Sequence, residues 1–254
     1  MKIGEHFSDV ASIYKNIRTT DIEPVLYIGK ILSNIQNLKI ADVGCGDGRY
    51  DELFLKHLSN IEILYCIDTN EDMLNSLNKF FLEKDVLKYK TINSPAENIP
   101  LKENYLDAIV TFNAIHHFNL SKFLNSAKNI LKKNGYIFLY SRTREQNKKN
   151  IWGQYFPKFN EKETRLYNLS DIISCINGVG GFKIDSTKEF KYKRSSNLEK
   201  LVFLAENRHY STFVLYSADD FKESLKIFKN NIKKNFKSKI DWYDFNILLV
   251  LRKS

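Results

Sequence analysis

Proline and cysteine are both scarce in this 254-residue chain. With four prolines and no Gly/Ser-rich stretch, no linker divides the chain into units. Three cysteines, Cys45, Cys66 and Cys175, are odd in number and lack a C-x-x-C spacing. That argues against a disulfide framework and against a thiolate zinc site, so no metal is expected. They read as small buried side chains in a reducing compartment. Long apolar runs are missing too: nothing approaches the roughly 18–20 consecutive residues of a membrane span. The opening Met1-Lys2-Ile3-Gly4-Glu5-His6 has no apolar signal-peptide core. There is no internal repeat. The expectation is one cytoplasmic domain over 1–254 with no membrane partner.

Positive charge is present in excess, 39 Lys and Arg against 30 Asp and Glu, for a net +9. Such a balance attracts nucleic acid or anionic metabolites. Here the lysines are spread along the whole chain among asparagines and isoleucines, as a compositional bias rather than a patch. A small-molecule partner is therefore favoured over nucleic acid. The oligomeric state is not legible.

From about residue 38 to 141 short apolar runs alternate with amphipathic segments, the pattern of a parallel sheet with crossover helices. Strands are expected at Lys39–Val43, Ile61–Asp68, Tyr89–Ile92, Leu106–Phe112 and Tyr136–Ser141. Between them, helices are expected over Tyr50–Leu58, from Met73 after a capping-box-like Thr69-Asn70-Glu71-Asp72, and from Ser121 as N-cap to Asn134-Gly135 as stop. Residues 142–168 read as a polar and aromatic loop. A short helix over 169–177 with Ser170 as possible N-cap, a strand Phe182–Phe190, two helices within 197–236 and a closing strand Tyr243–Leu251 follow. The fold class is α/β: a Rossmann-like, doubly wound, mostly parallel seven-stranded sheet with its last strand antiparallel. A helical insertion sits between the last two strands. Residues 1–37 are expected as cap helices and 38–141 as the cofactor-binding core. Residues 142–168 and 191–240 are expected as insertions forming a substrate wall or lid.

The chemistry concentrates in Asp42-Val43-Gly44-Cys45-Gly46-Asp47-Gly48, between the first strand and the first helix, where three of the ten glycines fall within five positions. Glycine is needed where backbone turns with positive φ and approaches a ligand closely. Asp68 ends the second strand, where an acidic side chain can accept both hydroxyls of a ribose. Together they place a nucleoside-containing cofactor across the carboxyl ends of strands one and two. The spacing is G-x-G-x-G, not the G-x-G-x-x-G of dinucleotide sites, and Asp42 suits an ammonium better than a pyrophosphate.

These segments, with Tyr65-Cys-Ile-Asp68, Met73-Leu74, Ala96-Glu97-Asn-Ile-Pro100-Leu101 and Phe112-Asn-Ala-Ile-His-His-Phe118, resemble in order the motifs of class I S-adenosylmethionine-dependent methyltransferases. They are most similar to the type 11-like small-molecule branch, which also holds wobble-uridine tRNA methyltransferases. The opening Phe7 to Arg18 resembles the family segment that folds over the cofactor. The resemblance implies S-adenosyl-L-methionine as cofactor. Gly44, Cys45 and Gly46 would pass under its methionine part, with Asp42 near the ammonium. Asp68 would hold the ribose, and Thr69 and Met73 would flank the adenine. Pro95, Ala96 and Glu97 would lie at the adenine edge. The family commonly has Asp at the position of Pro95, so one bond to the adenine amine is in doubt. Asn113 would line the methionine arm through its backbone. Tyr14 and Arg18 would close the site, Arg18 near the cofactor carboxylate.

His116 and His117 lie where the rim of an α/β site forms, and either can orient or deprotonate a nucleophile; His117 is expected to face the cleft. With Tyr14 they are the catalytic candidates. The activated methyl leaves the protein mainly the task of alignment and water exclusion. The aromatic and polar segments Asn150–Pro157 and Arg208–Phe213 can wall an acceptor pocket or pack a cap onto the sheet. The expected activity is methyl transfer to an O, N or C atom of a small molecule. The alternatives are a tRNA-modifying methyltransferase, an NAD-dependent oxidoreductase and a non-catalytic cofactor-binding module.

Overall fold

The computed structural model describes residues 19–254. Seven strands form one sheet in the order β3-β2-β1-β4-β5-β7-β6: β1 (Leu38–Val43), β2 (Ile61–Asp68), β3 (Tyr89–Asn93), β4 (Leu106–Phe112), β5 (Leu131–Ser141), β6 (Phe182–Ser196) and β7 (Ile240–Lys253). Strands β1 to β5 pair in parallel, and β7 runs antiparallel between β5 and β6. This is the expected fold, including the reversed last strand. Strand order reverses at β1, which has β2 on one side and β4 on the other. The crevice beyond its carboxyl end is where open α/β sheets take ligands.

Two layers of helices cover the sheet because its central strands are apolar on both faces. Leu38, Ile40, Cys66, Val110, Phe138 and Tyr140 face α1 (Glu23–Leu32), α2 (Arg49–His57) and α3 (Glu71–Glu83). Ala41, Val43, Ile67, Ile109 and Leu139 face α4 (Leu120–Ile130) and α8 (Leu169–Val179). Within the region expected as an N-terminal cap, α1 instead seals a sheet face with Val25, Ile28 and Leu32. The rest of that expectation, residues 1–18, lies outside the described residues.

Asparagine, not serine, starts several helices, because its side-chain oxygen reaches the free N–H groups of the first turn. Asn70 accepts from Met73 N–H at 3.0 Å. Asn119, rather than Ser121, caps α4 through Lys122 N–H at 3.1 Å. Asn168, rather than Ser170, is the N-cap of α8, its backbone N–H donating to Asp171 Oδ2 at 3.3 Å. Helix α4 stops at Ile130, and Asn134 takes the left-handed conformation (φ 62°) inside β5, where Gly135 was expected to act.

Two expectations change more. Residues 142–168 are not a loop but hold α5 (Arg144–Asn147), α6 (Ile151–Tyr155) and α7 (Phe159–Lys162). Each is shorter than two turns and so too brief to show a 3.6-residue period. Strand β6 continues to Ser196, beyond Phe190, as a long edge strand paired with β7; exposed lysines at 183, 188, 191 and 193 keep such an edge from pairing with another chain. The insertion then begins at α9 (Leu198–Glu206) and includes α10 (Ala218–Asn235). It packs against residues 151–159 in an aromatic core of its own, with Trp152, Phe156 and Phe159 against Phe213, Phe228 and Ile232. The carboxyl ends of β5 and β6 and the amino end of antiparallel β7 lie on one edge of the sheet. Both insertions therefore rise from the edge that also carries the glycine turn. Among the described residues, no helix is long and apolar enough to cross a membrane.

Candidate active site

The glycine turn is pinned before any ligand arrives. Gly44 and Cys45 N–H donate to Ile67 O at 2.7 and 3.1 Å. Gly46 N–H donates to Asp68 Oδ2 at 2.9 Å, and Asn70 N–H donates to Asp68 Oδ1 at 2.9 Å. The Asp68 carboxylate thus ties the two neighbouring turns together. A carboxylate offers about four lone-pair sites, so capacity remains for an incoming hydroxyl. Gly44 has φ +78° and lies so close to the next loop that a Cβ would sit 2.5 Å from that of Ala114. Gly46, at φ +57°, has nothing within 4 Å of the corresponding position. One glycine lets two loops touch, and the other leaves room above the turn.

That room is a cavity. Asp42, Gly44, Cys45 and Gly46 line it from β1 and its turn, and Asp68, Thr69 and Met73 from β2 and α3. Ala96, Glu97, Asn113 and His117 complete it from the turns after β3 and β4. Pro95 departs from expectation: it is exposed and is not part of the lining, which Ser94 and Ala96 supply on either side of it. Glu97 is partly committed elsewhere, accepting Asn119 N–H at 2.6 Å. Tyr14 and Arg18 lie outside the described residues.

Asp47, Arg49, Tyr50, Asn70, Phe112 and Phe118 also line the cavity but were not among the expected site residues. Tyr50 stacks on Phe112 with ring centres 3.9 Å apart. Arg49 pairs with Asp47 at 3.3 Å and donates to Thr20 Oγ1 at 3.1 Å. An acidic Asp before the glycines is readable as a motif. An aromatic one turn into a helix is indistinguishable from core.

The floor is acidic and buried. Asp42 is 1% and Asp51, from the first turn of α2, 0% exposed. Burial holds the Asp42 carboxyl well above the usual carboxylate range, and the negative charges of Asp51 and Asp68 add to this. Burial pushes Asp51 up to about 8, against opposing hydrogen bonds from Cys66 and Asp42. Two carboxyl groups can bond to each other only if one keeps its proton, so the pair shares one. Asp68 is also raised by burial, opposed by the Asn70, Gly46 and Thr69 backbone N–H groups. Burial and the surrounding carboxylates raise Cys45 as well, which keeps it a thiol and not a nucleophile.

A second cavity adjoins the first, and Arg49, Tyr50, Asn113 and His117 line both. Asn113 is held at φ +54°, its N–H on Tyr140 O at 2.7 Å and its Oδ1 3.4 Å from Asn246 Nδ2. The histidines sit in a 3-10 turn, Ile115–His117. His117 is exposed to the junction, whereas His116 lines only the second cavity. The insertions supply that cavity's outer wall through Trp152, Glu163, Leu201, His209, Tyr210 and Thr212. Of the two aromatic segments singled out in the sequence, Trp152 and residues 209–212 face the cavity, while Phe156 and Phe213 pack the cap core. Arg142, Tyr192, Arg194, Trp242 and Asp244 were missed because they converge from β5, β6 and β7. Among the described residues, no group of three or more His, Cys, Asp or Glu is placed to hold a metal ion.

Residues 41–139 match the family model described as a methyltransferase domain. A curated relative from Dictyostelium discoideum, provisionally named a methyltransferase, is 26% identical over 141 residues, 55% of this chain and 50% of its own length. The chain thus spans about half the length of that relative. A solved structure from Anabaena variabilis, provisionally named a methyltransferase of an antibiotic biosynthesis pathway, is similar with a TM-score of 0.69 at 20% identity, over 92% of this chain and 98% of its own. A geranyl diphosphate methyltransferase in complex with SAM is similar with a TM-score of 0.57 at 8% identity, over 92% and 85%. At these identities the structures speak for the fold.

Proposed function

We propose that the chain, whose residues 41–139 match a methyltransferase-domain model, transfers a methyl group from S-adenosylmethionine to a nucleophilic atom of a small molecule. The observation that carries this reading is the charge of the first cavity. Even with Asp42 holding its proton, Asp47, Asp68 and Glu97 line it against one guanidinium, Arg49, which Asp47 already neutralises. A pyrophosphate would meet repulsion there, whereas a ligand bearing a sulfonium and an ammonium meets attraction. The open space above Gly46 and the buried Asp42 carboxyl fit such a group.

On this reading Asp68 takes the ribose hydroxyls with its remaining lone pairs, and Asp42 faces the ammonium beneath Gly44 to Gly46. Met73 and Ala96, both buried, pack against the adenine, and Asn113 turns its backbone toward the methionine arm. The cofactor supplies an activated methyl whose bonding electron pair returns to sulfur as the new bond to the acceptor forms. The protein aligns the acceptor in the second cavity with the junction at Tyr50, Asn113 and His117, and excludes water there. His117 receives the acceptor's proton where the attacking atom carries one.

Isothermal titration calorimetry with S-adenosylhomocysteine and, separately, NADH tests the cofactor. Binding of the first and not the second is expected, with Asp68→Ala weakening it by about 10–100-fold, the loss of a charged bonding group. Binding of NADH alone, or none of S-adenosylhomocysteine, overturns the reading. Transfer of label from methyl-labelled S-adenosylmethionine to a small compound of a cell extract tests the reaction. Tight cofactor binding without transfer would leave a binding module.

A further inference from the structure

The second cavity carries a charge pattern that narrows its ligand. Three carboxylates line it, Asp21, Glu163 and Asp244, and two other arginines hold them. Arg194 Nη2 donates to both oxygens of Asp21 at 2.9 and 2.6 Å, and its Nε to Asp244 Oδ2 at 3.2 Å. Asp244 Oδ1 accepts Trp242 Nε1 at 3.2 Å. Glu163 is gripped by Arg165 and by Thr212 Oγ1 at 2.6 Å.

Arg142, the residue after β5, makes no hydrogen bond to any of these carboxylates and pairs only loosely with Asp244. Its side chain is only 13% exposed and 3.9 Å from Asp244, too far for a hydrogen bond. Its Nη2 donates to Tyr210 OH at 3.0 Å, and its guanidinium lies over the Tyr210 ring at 5.0 Å. Its Nε is buried with no hydrogen-bond partner. A guanidinium presents five N–H donors in a planar fork, and leaving a buried donor unmade is costly. The walls around it, Trp152, Trp242, Leu166 and Leu201, are aromatic and apolar.

We propose that the second cavity binds a carboxylate attached to a planar, aromatic body, with the carboxylate on the Arg142 guanidinium and the ring between the tryptophan-bearing walls. Coplanar donors match a planar carboxylate. A phosphate dianion would need further free cations, and the other lining arginines, Arg49 and Arg194, already hold Asp47, Asp21 and Asp244. Since Arg142 holds the carboxylate, the methyl is received by another atom of the ligand, at the junction with the first cavity. In calling the ligand a methyl acceptor, the inference rests on the proposed function.

The chain's two tryptophans, Trp152 and Trp242, both line this cavity, so tryptophan emission reads its occupancy without any turnover. The probes are benzoate, benzamide and phenyl phosphate, titrated into the full chain with and without S-adenosylhomocysteine. Saturable quenching by benzoate, at least about tenfold weaker with benzamide and with phenyl phosphate, is expected. Arg142→Gln should weaken benzoate by about 10–100-fold, and Arg142→Lys, which keeps the charge but not the fork, should lie between. S-adenosylhomocysteine affinity should stay within about twofold in both variants, which also shows that they fold. Equal binding of benzamide, tighter binding of phenyl phosphate, no saturable quenching by benzoate, or an unchanged Arg142→Gln overturns the inference. Benzoate binding without S-adenosylhomocysteine binding would instead overturn the proposed function and leave the carboxylate site standing.

Discussion

Replacing Asp51 by asparagine removes an ionisable group from a fully buried position while keeping its shape. Asp51 is 0% exposed and neither of its oxygens has a partner while the carboxyls are ionised. Its position in the first turn of α2 favours the anion by only about 0.3–1 kcal/mol. Burial outweighs that and pushes the group from 3.8 up to about 8. Between those values the folded chain keeps a proton that the unfolded chain has lost, so stability falls as pH rises. The loss is at most about 1.4 kcal/mol per pH unit, or on the order of 5 kcal/mol across the window. It is complete only above the folded value, and the contribution is fully present below about pH 4. Sharing the proton with Asp42 spreads the loss but does not change its sign. Urea denaturation of the wild type should show the midpoint falling between about pH 5 and 8. Asp51→Asn should be flatter over that range, and at pH 8 more stable than the wild type by about 2–5 kcal/mol. Parallel pH profiles for the two proteins would refute the buried-acid account.

Two further outcomes follow from the same floor. In Gly44→Ala the new methyl would sit 2.5 Å from Ala114 Cβ at φ +78°; a loss of about 2–4 kcal/mol from strain and overpacking is expected, and an unchanged melting temperature would contradict it. A cation above Asp42, whose pKa burial raises, lowers that pKa. S-adenosylmethionine binding should therefore release up to about one proton at neutral pH and tighten as pH rises. Calorimetry in buffers of different ionisation enthalpy measures this, and buffer-independent heats would contradict it.

How much of this was legible in the sequence depended on whether neighbours in space are neighbours in the chain. The core strands were readable because central parallel strands are apolar on both faces, and β2 and β4 have the expected ends, Ile61–Asp68 and Leu106–Phe112. The lining of the first cavity was readable because each of its turns follows a strand and carries its lining residues within a few positions, as in 42–46 and 113–117. Pro95 failed as a lining residue because the turn after β3 presents Ser94 and Ala96 inward and leaves it exposed. Asp51 gave no signal, since an acidic residue in the first helical turn is the ordinary helix-start pattern. The short helices α5 to α7 were hidden because each is under two turns, and the aromatic core that holds α6 and α7 joins residues no local window contains.

The cap and the first cavity share one edge of the sheet for a topological reason. An antiparallel β7 beside β5 brings its amino end to the edge where the parallel strands terminate, so any chain inserted before β7 must rise there. The preceding β6 delivers its carboxyl end to the same edge, and β5 delivers Arg142. Residues 142–166 and 197–240 can therefore be exchanged or lengthened without touching the turn at 42–48 or the Asp68 clamp. The aromatic core they share fixes Trp152 and residues 209–212 against the junction without help from the sheet's own core. On the proposed function, acceptor choice then lies with residues drawn from three strands and two insertions, while cofactor choice lies with one turn and one carboxylate. That division explains why the second was open to inspection of the sequence and the first needed coordinates: Arg142, Tyr210 and Asp244 are far apart along the chain and define a binding surface only after β7 has closed the sheet.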